Sequence, residues 1–190
     1  MIWSILHISD THGLHRQLNA LPAADVLIHS GDFTMTGSAA EATDFMEWFC
    51  AQPHRYKIFI AGNHDICLRN ASIDGLPDNC HYLCNSGVII ESIKFYGVPM
   101  FAAAYDKIPA DTDIIITHEP PHEILDFADG IHYGNQELLR RVRQVNPRYH
   151  FFGHIHAQCG VIVSGSTTFI NGAAMTENNT LIHNMKIIKL

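Results

Sequence analysis

Ile60-Ala61-Gly62-Asn63-His64-Asp65 is an apolar strand end that runs straight into Gly-Asn-His-Asp. The preceding residues, 56–60, are rich in β-branched and aromatic side chains and predict a strand. Four other segments share this grammar. Residues 2–8 lead into Ser9-Asp10-Thr11-His12, residues 25–29 into Ser30-Gly31-Asp32, residues 113–117 into His118, and residues 149–152 into Gly153-His154-Ile155-His156. Each apolar run reads as a short buried strand. Asp10 and His12 stand two apart, as do His154 and His156, a spacing that puts both side chains on one face of an extended chain. In open α/β sheets, ligands collect beyond the carboxyl ends of strands, so five strand ends are expected to converge on one site.

Outward from these strands, the periodicity predicts helices. Leu14, Leu18 and Leu21 recur at helical spacing until Pro22 closes the segment. Ser38 and Glu41 have the spacing of a capping box, and Ala42, Phe45, Met46 and Phe49 fall on one stripe. Asn135 is placed to cap a helix whose apolar face is Leu138, Leu139, Val142 and Val145, with Arg140, Arg141 and Arg143 on the solvated side. Residues 67–80 and 120–134 read as polar loops. Residues 88–92 and 93–97 predict paired strands, and 161–163, 167–170 and 185–188 predict further ones. No repeat or linker interrupts the chain, so residues 1–190 are expected to form a single domain.

The chain has 190 residues, long enough for one substantial core and short for two enzyme domains. Hydrophobic residues make up 47% and charged residues 16%, which excludes a disordered or fibrous class. Lys+Arg number 12 against Asp+Glu 19, and the net charge of -7 opposes attachment to duplex nucleic acid or an anionic membrane. The first apolar run lacks a basic leader and reaches Asp10 before it could form a signal peptide or a span. The five cysteines are scattered, which suits reduced thiols in a cytoplasm. Cys80 and Cys84 have a spacing a metal would accept, but read better as structural residues.

Each polar cluster alone is weak, because 14 histidines guarantee chance placements. Together and in order, each after a strand, they argue for a metal site. Oxygen and imidazole donors without thiolate favour Mn, Fe or Zn, and the donors outnumber what one tetrahedral ion requires. Two ions are therefore expected, about 3.5 to 4 Å apart with shared ligands as in two-metal phosphoesterases.

These blocks, Asp10-x-His12, Gly31-Asp32, Gly62-Asn63-His64-Asp65, His118 and Gly153-His154-x-His156, resemble the calcineurin-like metallophosphoesterase superfamily. Ser9-Asp10-Thr11-His12, Gly31-Asp32-Phe33-Thr34, Thr117-His118-Glu119-Pro120-Pro121 and Phe152-Gly153-His154-Ile155-His156 resemble, more narrowly, the metallophosphoesterase-domain-containing (UPF0046) proteins. The resemblance implies an α/β fold, a four-layer α/β/β/α sandwich of two mixed sheets with the metal site at a loop rim. It implies two divalent transition metal ions, Mn²⁺ foremost and Fe, Zn or Ni as alternatives. Asp10, His12 and His156 would hold one ion, Asn63, His118 and His154 the other, and Asp32 would bridge them. A bridging hydroxide would be the nucleophile and His64 a general acid at the leaving oxygen, with Asp65 either orienting His64 or capping the following turn.

The implied activity is hydrolysis of a phosphate ester, a diester ahead of a monoester, with small and including cyclic nucleotides as substrates. The alternatives are a phosphomonoesterase with the same residues and a non-catalytic scaffold, as the retromer subunit of this fold is. A general acid beside an intact ligand set argues against the scaffold. His154 stands where some relatives carry glycine, which favours a competent second metal. Phe33-Thr34-Met35 replaces the Asp-Arg-Gly that marks the Ser/Thr protein phosphatases, so a phosphoprotein substrate is not expected. His7, His15, His29, His54, His81, His132, His150 and His183 read as core or surface histidines. His122 reads the same way, although it and Tyr133 are the better candidates for substrate contact.

Overall fold

The computed structural model describes residues 3–18, 20–69, 71–176, 178, 180–182 and 185–190; Ile2 of the first predicted strand and His183 lie outside them. The described elements, in chain order, are β1 (Ser4–Ile8), β2 (Val26–His29), α1 (Ala39–Cys50), β3 (Tyr56–Phe59), β4 (Cys80–Tyr82), β5 (Ser86–Ile90) and β6 (Ile93–Val98). They continue with β7 (Ile114–Thr117), β8 (Phe127–Ala128), β9 (Ile131–His132), α2 (Gln136–Val145), β10 (Tyr149–Phe152), β11 (Gly160–Ser164), β12 (Thr167–Asn171) and β13 (Lys186–Lys189). One sheet has the order β13-β1-β2-β3-β4 and the other β11-β12-β10-β7-β6-β5. Each is mixed. The pairs β1–β2, β2–β3 and β3–β4 are parallel with β13 antiparallel to β1, whereas β12, β10, β7 and β6 run parallel, with the edge strands β11 and β5 antiparallel to β12 and β6.

The alternation of side chains along these strands builds the layers. Ile5, Val26, Ile28, Ile58 and Ile60 of the first sheet meet Phe95, Ile114, Ile116, Phe151 and Ile170 of the second in one buried cluster. Their neighbours point the other way. Leu6, Ile8, Leu27 and Phe59 pack under Ala42, Phe45 and Phe49 of α1, and Ile115, Phe152 and Phe169 pack under Leu138, Val142 and Val145 of α2. Strands that are apolar on both faces need cover on both, and the result is the α/β/β/α sandwich.

Helix α1 begins at the expected capping box. Ser38 Oγ accepts the Glu41 N–H at 3.2 Å, and the Glu41 carboxylate accepts the Ser38 N–H at 3.2 Å. The Phe45 ring stacks on Phe33 with centroids 4.1 Å apart, coupling the helix to the loop after β2. Asn135 caps α2, its Oδ1 accepting the Leu138 N–H at 3.0 Å.

Three expectations are corrected. The helix over Leu14–Leu21 is a single 3₁₀ turn, His15–Gln17, because no side chain caps its start and Leu18 turns to extended geometry. Residues 120–134 contain the hairpin β8–β9. Arg141 does not stand free in solvent with Arg140 and Arg143, since its guanidinium folds back onto the Ile108 carbonyl. Among the described residues, no helix is long and apolar enough to cross a membrane. The Cys80 thiol lies 3.3 Å from that of Cys50, in the packing between α1 and β4.

Because Phe45 is fully buried between Phe33, Phe49 and Phe59, Phe45→Ala should lower unfolding free energy by about 3–5 kcal/mol. Ser38→Ala should cost only about 1 kcal/mol. Urea unfolding of both variants checks the ranking, and equal losses would contradict the packing described.

Candidate metal centre

Strands β1, β2 and β3 run parallel in one sheet, and β7 and β10 run parallel in the other, so their carboxyl ends deliver five loops to one rim. Backbone hydrogen bonds stitch these loops together. Asp10 N–H donates to the Gly31 carbonyl at 2.9 Å, His12 N–H to Asp32 at 3.0 Å, and Gly153 N–H to His118 at 3.0 Å. His118 crosses between the sheets, its Nδ1–H donating to the Ser30 carbonyl at 2.9 Å. That bond leaves Nε2 free to face the Asp32 carboxylate and the Asn63 amide oxygen.

Asp10 and Asp32 lie at the centre with side chains 0% and 3% exposed. His156 Nε2 is 3.5 Å from Asp10 Oδ1 and 3.4 Å from His12 Nε2. On the other side, His118 Nε2 is 3.2 Å from Asp32 Oδ2 and 3.0 Å from Asn63 Oδ1. His12 Nε2 stands 3.9 Å from Asp32 Oδ2, so that one carboxylate faces both groups. The donor atoms fall into the sets Asp10, His12 and His156, and Asp32, His118 and His154, each within 4.8 Å; a third set, His12, Asp32 and His64, overlaps them. Asp10, His12, Asp32, Asn63, His118, His154 and His156 are thus all brought together.

The backbone is bent to do this. Asp10, His12, Asp32 and His154 have φ of 55°, 42°, 55° and 69°, a left-handed conformation that costs a non-glycine residue about 1–2 kcal/mol. Strain of this kind persists where the surroundings over-determine it, and it collects at functional sites. Two glycines serve close approach. A Cβ on Gly62 would sit on Asp32 Oδ1, and one on Gly153 would collide with Asp10 Oδ2 and Ser9 Oγ.

The electrostatics favour a cation. Burial alone would raise the Asp10 carboxyl, but its His156 hydrogen bond and the charges of His118 and His156 hold it well below the usual carboxylate range. Asp32 is likewise lowered, its burial outweighed by His118. Burial opposes charge on His118, yet Asp32 and Asp10 push it up to about 10, so in the metal-free protein a proton stands in for an ion. Burial and the His118 charge bring His154 down to about 4, leaving it neutral and able to ligate. Two buried carboxylates, four imidazoles and an amide oxygen, with His12 and His156 presenting Nε2 atoms to each other, form a donor set that divalent transition metals satisfy.

His64 adds a different element. Its Nδ1–H donates to the Met35 carbonyl at 2.9 Å, which leaves Nε2 as the nitrogen free to exchange a proton, and its ring stands edge-on to His12 with centroids 4.7 Å apart. Asp65 does not orient that ring, nor does it cap the turn that follows. Its buried carboxylate instead accepts the N–H groups of Gly62 at 2.8 Å and of Asp32 and Thr34 at 2.9 Å, and the Thr34 hydroxyl at 2.8 Å. Asp65 therefore locks the loop after β2 to the loop after β3. Burial and the Asp32 charge push it up to about 6, against those hydrogen bonds.

Beneath the loops, the strand histidines act as neutral spacers. His29 accepts Gly31 N–H at Nδ1 and donates from Nε2 to Thr11 Oγ1 at 3.0 Å, while His7 Nε2 lies 2.8 Å from Ser30 Oγ. Burial pushes His7 and His150 down to about 3.

A cavity of about 450 Å³ opens over the centre, lined by His12, Asp32, Asn63, His64, His154 and His156 and closed in part by Met35, Ala128, Asp129 and Tyr133. Tyr133 therefore reaches the cavity, whereas His122 turns to the buried Asp126 at 3.7 Å. The hairpin that contributes Ala128 and Asp129 went unread, although Asp129-Gly130 between short β-prone runs is a hairpin signal.

Fold and donor set together define a metallophosphoesterase-type centre. The chain belongs to the calcineurin-like phosphoesterase family, whose match spans residues 4–158. A UPF0046 protein of Caenorhabditis elegans is 34% identical over 209 residues, covering 93% of this chain and 71% of its own. The human metallophosphoesterase domain-containing protein 1 is also 34% identical, over 90% of this chain and 66% of its own. The fold is shared with a solved archaeal phosphodiesterase, at TM-score 0.53 and 15% identity over 98% of this chain and 99% of that one.

A protonated His118 must lose its proton to ligate, as must His156 where Asp10 has raised it, so uptake of Mn²⁺ at pH 7 should release at least one proton, and affinity should fall at least about tenfold per unit of falling pH. Calorimetry in buffers of different ionisation enthalpy measures this. Uptake without proton release would show that the Asp32–His118 pair is not where the ion enters. Gly153→Ala, which drives a methyl into Asp10, should weaken Mn²⁺ uptake at least tenfold while the protein stays folded by circular dichroism; unchanged uptake would remove Asp10 from the ligands.

Proposed function

We propose that this chain hydrolyses phosphate esters, preferentially small diesters such as nucleotides, through a binuclear metal centre, with residues 1–190 acting as one catalytic domain. The observation that carries the reading is the pair of donor sets on either side of Asp32, with His64 oriented beside them by Met35. In this reading Asp10, His12 and His156 hold one ion, Asn63, His118 and His154 the other, and Asp32 both. Mn²⁺ is the first ion to try, because oxygen and imidazole donors suit it and none of these donors is a thiolate that would favour a softer metal.

When bound, the two ions supply Lewis acidity, offsetting the charge of the phosphate and acidifying a water for in-line attack. The side chains of the protein do the rest. In its protonated form His64, whose Nδ1–H is engaged by Met35, would give its Nε2 proton to the leaving oxygen as the P–O bond breaks. Thr34 and Asp32 keep the His64 backbone in place, since Thr34 Oγ1 lies 2.9 Å from the His64 carbonyl and the His64 N–H donates to Asp32 Oδ1 at 2.7 Å. The same Asp32 thus fixes both ligand and acid.

Hydrolysis of bis-p-nitrophenyl phosphate by metal-stripped protein, Mn²⁺-loaded protein and Mn²⁺-loaded His64→Ala tests the reading. Turnover should require metal, and His64→Ala should lower kcat by about 10²–10⁴ with metal content unchanged. Turnover without metal would refute it, and metal loss in His64→Ala would make His64 a ligand. Asp32→Asn should lose both ions, because the shared charge is gone; a fully loaded variant would remove Asp32 as the bridge.

A further inference from the structure

The β8–β9 hairpin is built to hold one carboxylate at the mouth of the metal cavity. Asp126, only 1% exposed, anchors its base by accepting the Glu123 N–H at 2.9 Å, the Gly134 N–H at 3.0 Å and His132 Nδ1–H at 2.7 Å. At the tip, Asp129 and Gly130 have φ of 50° and 80°, the tight turn that matches the twist of a two-residue hairpin. The strand β8 packs against the His156–Gln158 turn, directly after the ligand block. Asp129 is therefore presented to the cavity by a defined element, and Tyr133, whose N–H donates to the Asp126 carbonyl at 3.0 Å, lines it from the same hairpin.

The charge pattern there is one-sided. Among the described residues lining the cavity, none is Lys or Arg, and Asp129 has no ion-pair partner among the described residues. A phosphate monoester carries nearly two negative charges at neutral pH, because its second pKa is about 6, and a diester carries one. Beyond the charge that the bound ions offset, the additional charge of a monoester would face Asp129 with no Lys or Arg among the described lining residues to screen it. A like charge of this kind rejects one ligand more than it helps the other.

We propose that Asp129 is a charge filter that makes the centre select monoanionic diesters over dianionic monoesters, and that Tyr133 is the platform for a planar ester arm. The inference rests on the phosphoesterase reading above. It places substrate choice on the hairpin and leaves the ligand set common to both ester types. The filter acts through solvent at an exposed carboxylate, so its effect is modest and weakens with salt. Stacking on Tyr133 is independent of charge and should serve any aromatic or nucleobase arm.

The test is binding of two non-hydrolysable probes to the Mn²⁺-loaded protein by calorimetry at pH 8: phenylphosphonate, a dianion, and its monomethyl ester, a monoanion. Asp129→Asn keeps the shape of the side chain and tolerates positive φ. It should tighten phenylphosphonate about three- to tenfold more than the monoanion, and raising salt from 50 to 500 mM should narrow the wild-type difference but not that of the variant. Tyr133→Ala should weaken both probes about tenfold and leave inorganic phosphate unaffected. If Asp129→Asn changes both probes equally while bis-p-nitrophenyl phosphate is still cleaved, the filter is wrong and the phosphoesterase reading stands. If the wild type binds neither probe and cleaves no ester, that reading falls and the filter with it.

Discussion

The structure depends on two carboxylates, Asp10 and Asp32, that are buried without a permanent cation. Each is held by backbone donors, Asp10 by the His154 N–H at 3.1 Å and Asp32 by the His64 N–H at 2.7 Å, and each faces imidazoles instead of Lys or Arg. Such a pair is costly to bury unless positive charge arrives. The chain meets that cost partly with the proton on His118 and leaves the remainder to be met by metal. The left-handed turns at Asp10, Asp32 and His154, the close glycines and the Asp65 clamp all serve to keep these two groups where an ion can reach both.

What holds so strained a rim is the sandwich below it. The inner cluster locks the two sheets face to face, and the aromatic cluster under α1 includes Phe33, the residue immediately after Asp32. His118 then ties the rim of one sheet to the other through Ser30, and Ser30 is in turn fixed by His7. Core packing and ligand geometry are thus the same set of contacts seen from two sides. A loose core would let Asp32 relax out of its turn.

Much of this was legible in the sequence because it rests on local rules. Apolar runs such as Ile114-Ile115-Ile116 mark strands covered on both faces, Ser38 with Glu41 marks a helix start, and polar blocks directly after strands mark a rim site. The misreadings came where local rules compete with tertiary ones. Leu14, Leu18 and Leu21 keep helical spacing, but no side chain caps the start and Leu18 is already extended, so a single turn is all that forms. Asp65 looked like a partner of its neighbour His64, whereas its oxygens reach thirty-three residues back to the Asp32 N–H, a pairing that only the parallel register of β2 and β3 creates. The closing wall of the cavity was missed because its hairpin strands are two residues long, too short to show periodicity, although Asp129-Gly130 signals the turn.

In the proposed binuclear reading, five strand ends assemble one centre for two ions around Asp32. Anomalous diffraction from crystals of the Mn²⁺-loaded protein tests it most directly. Two peaks about 3.5 to 4 Å apart are expected, one against Asp10, His12 and His156, the other against Asn63, His118 and His154, with Asp32 touching both. A single peak, or two peaks that do not share Asp32, would contradict it.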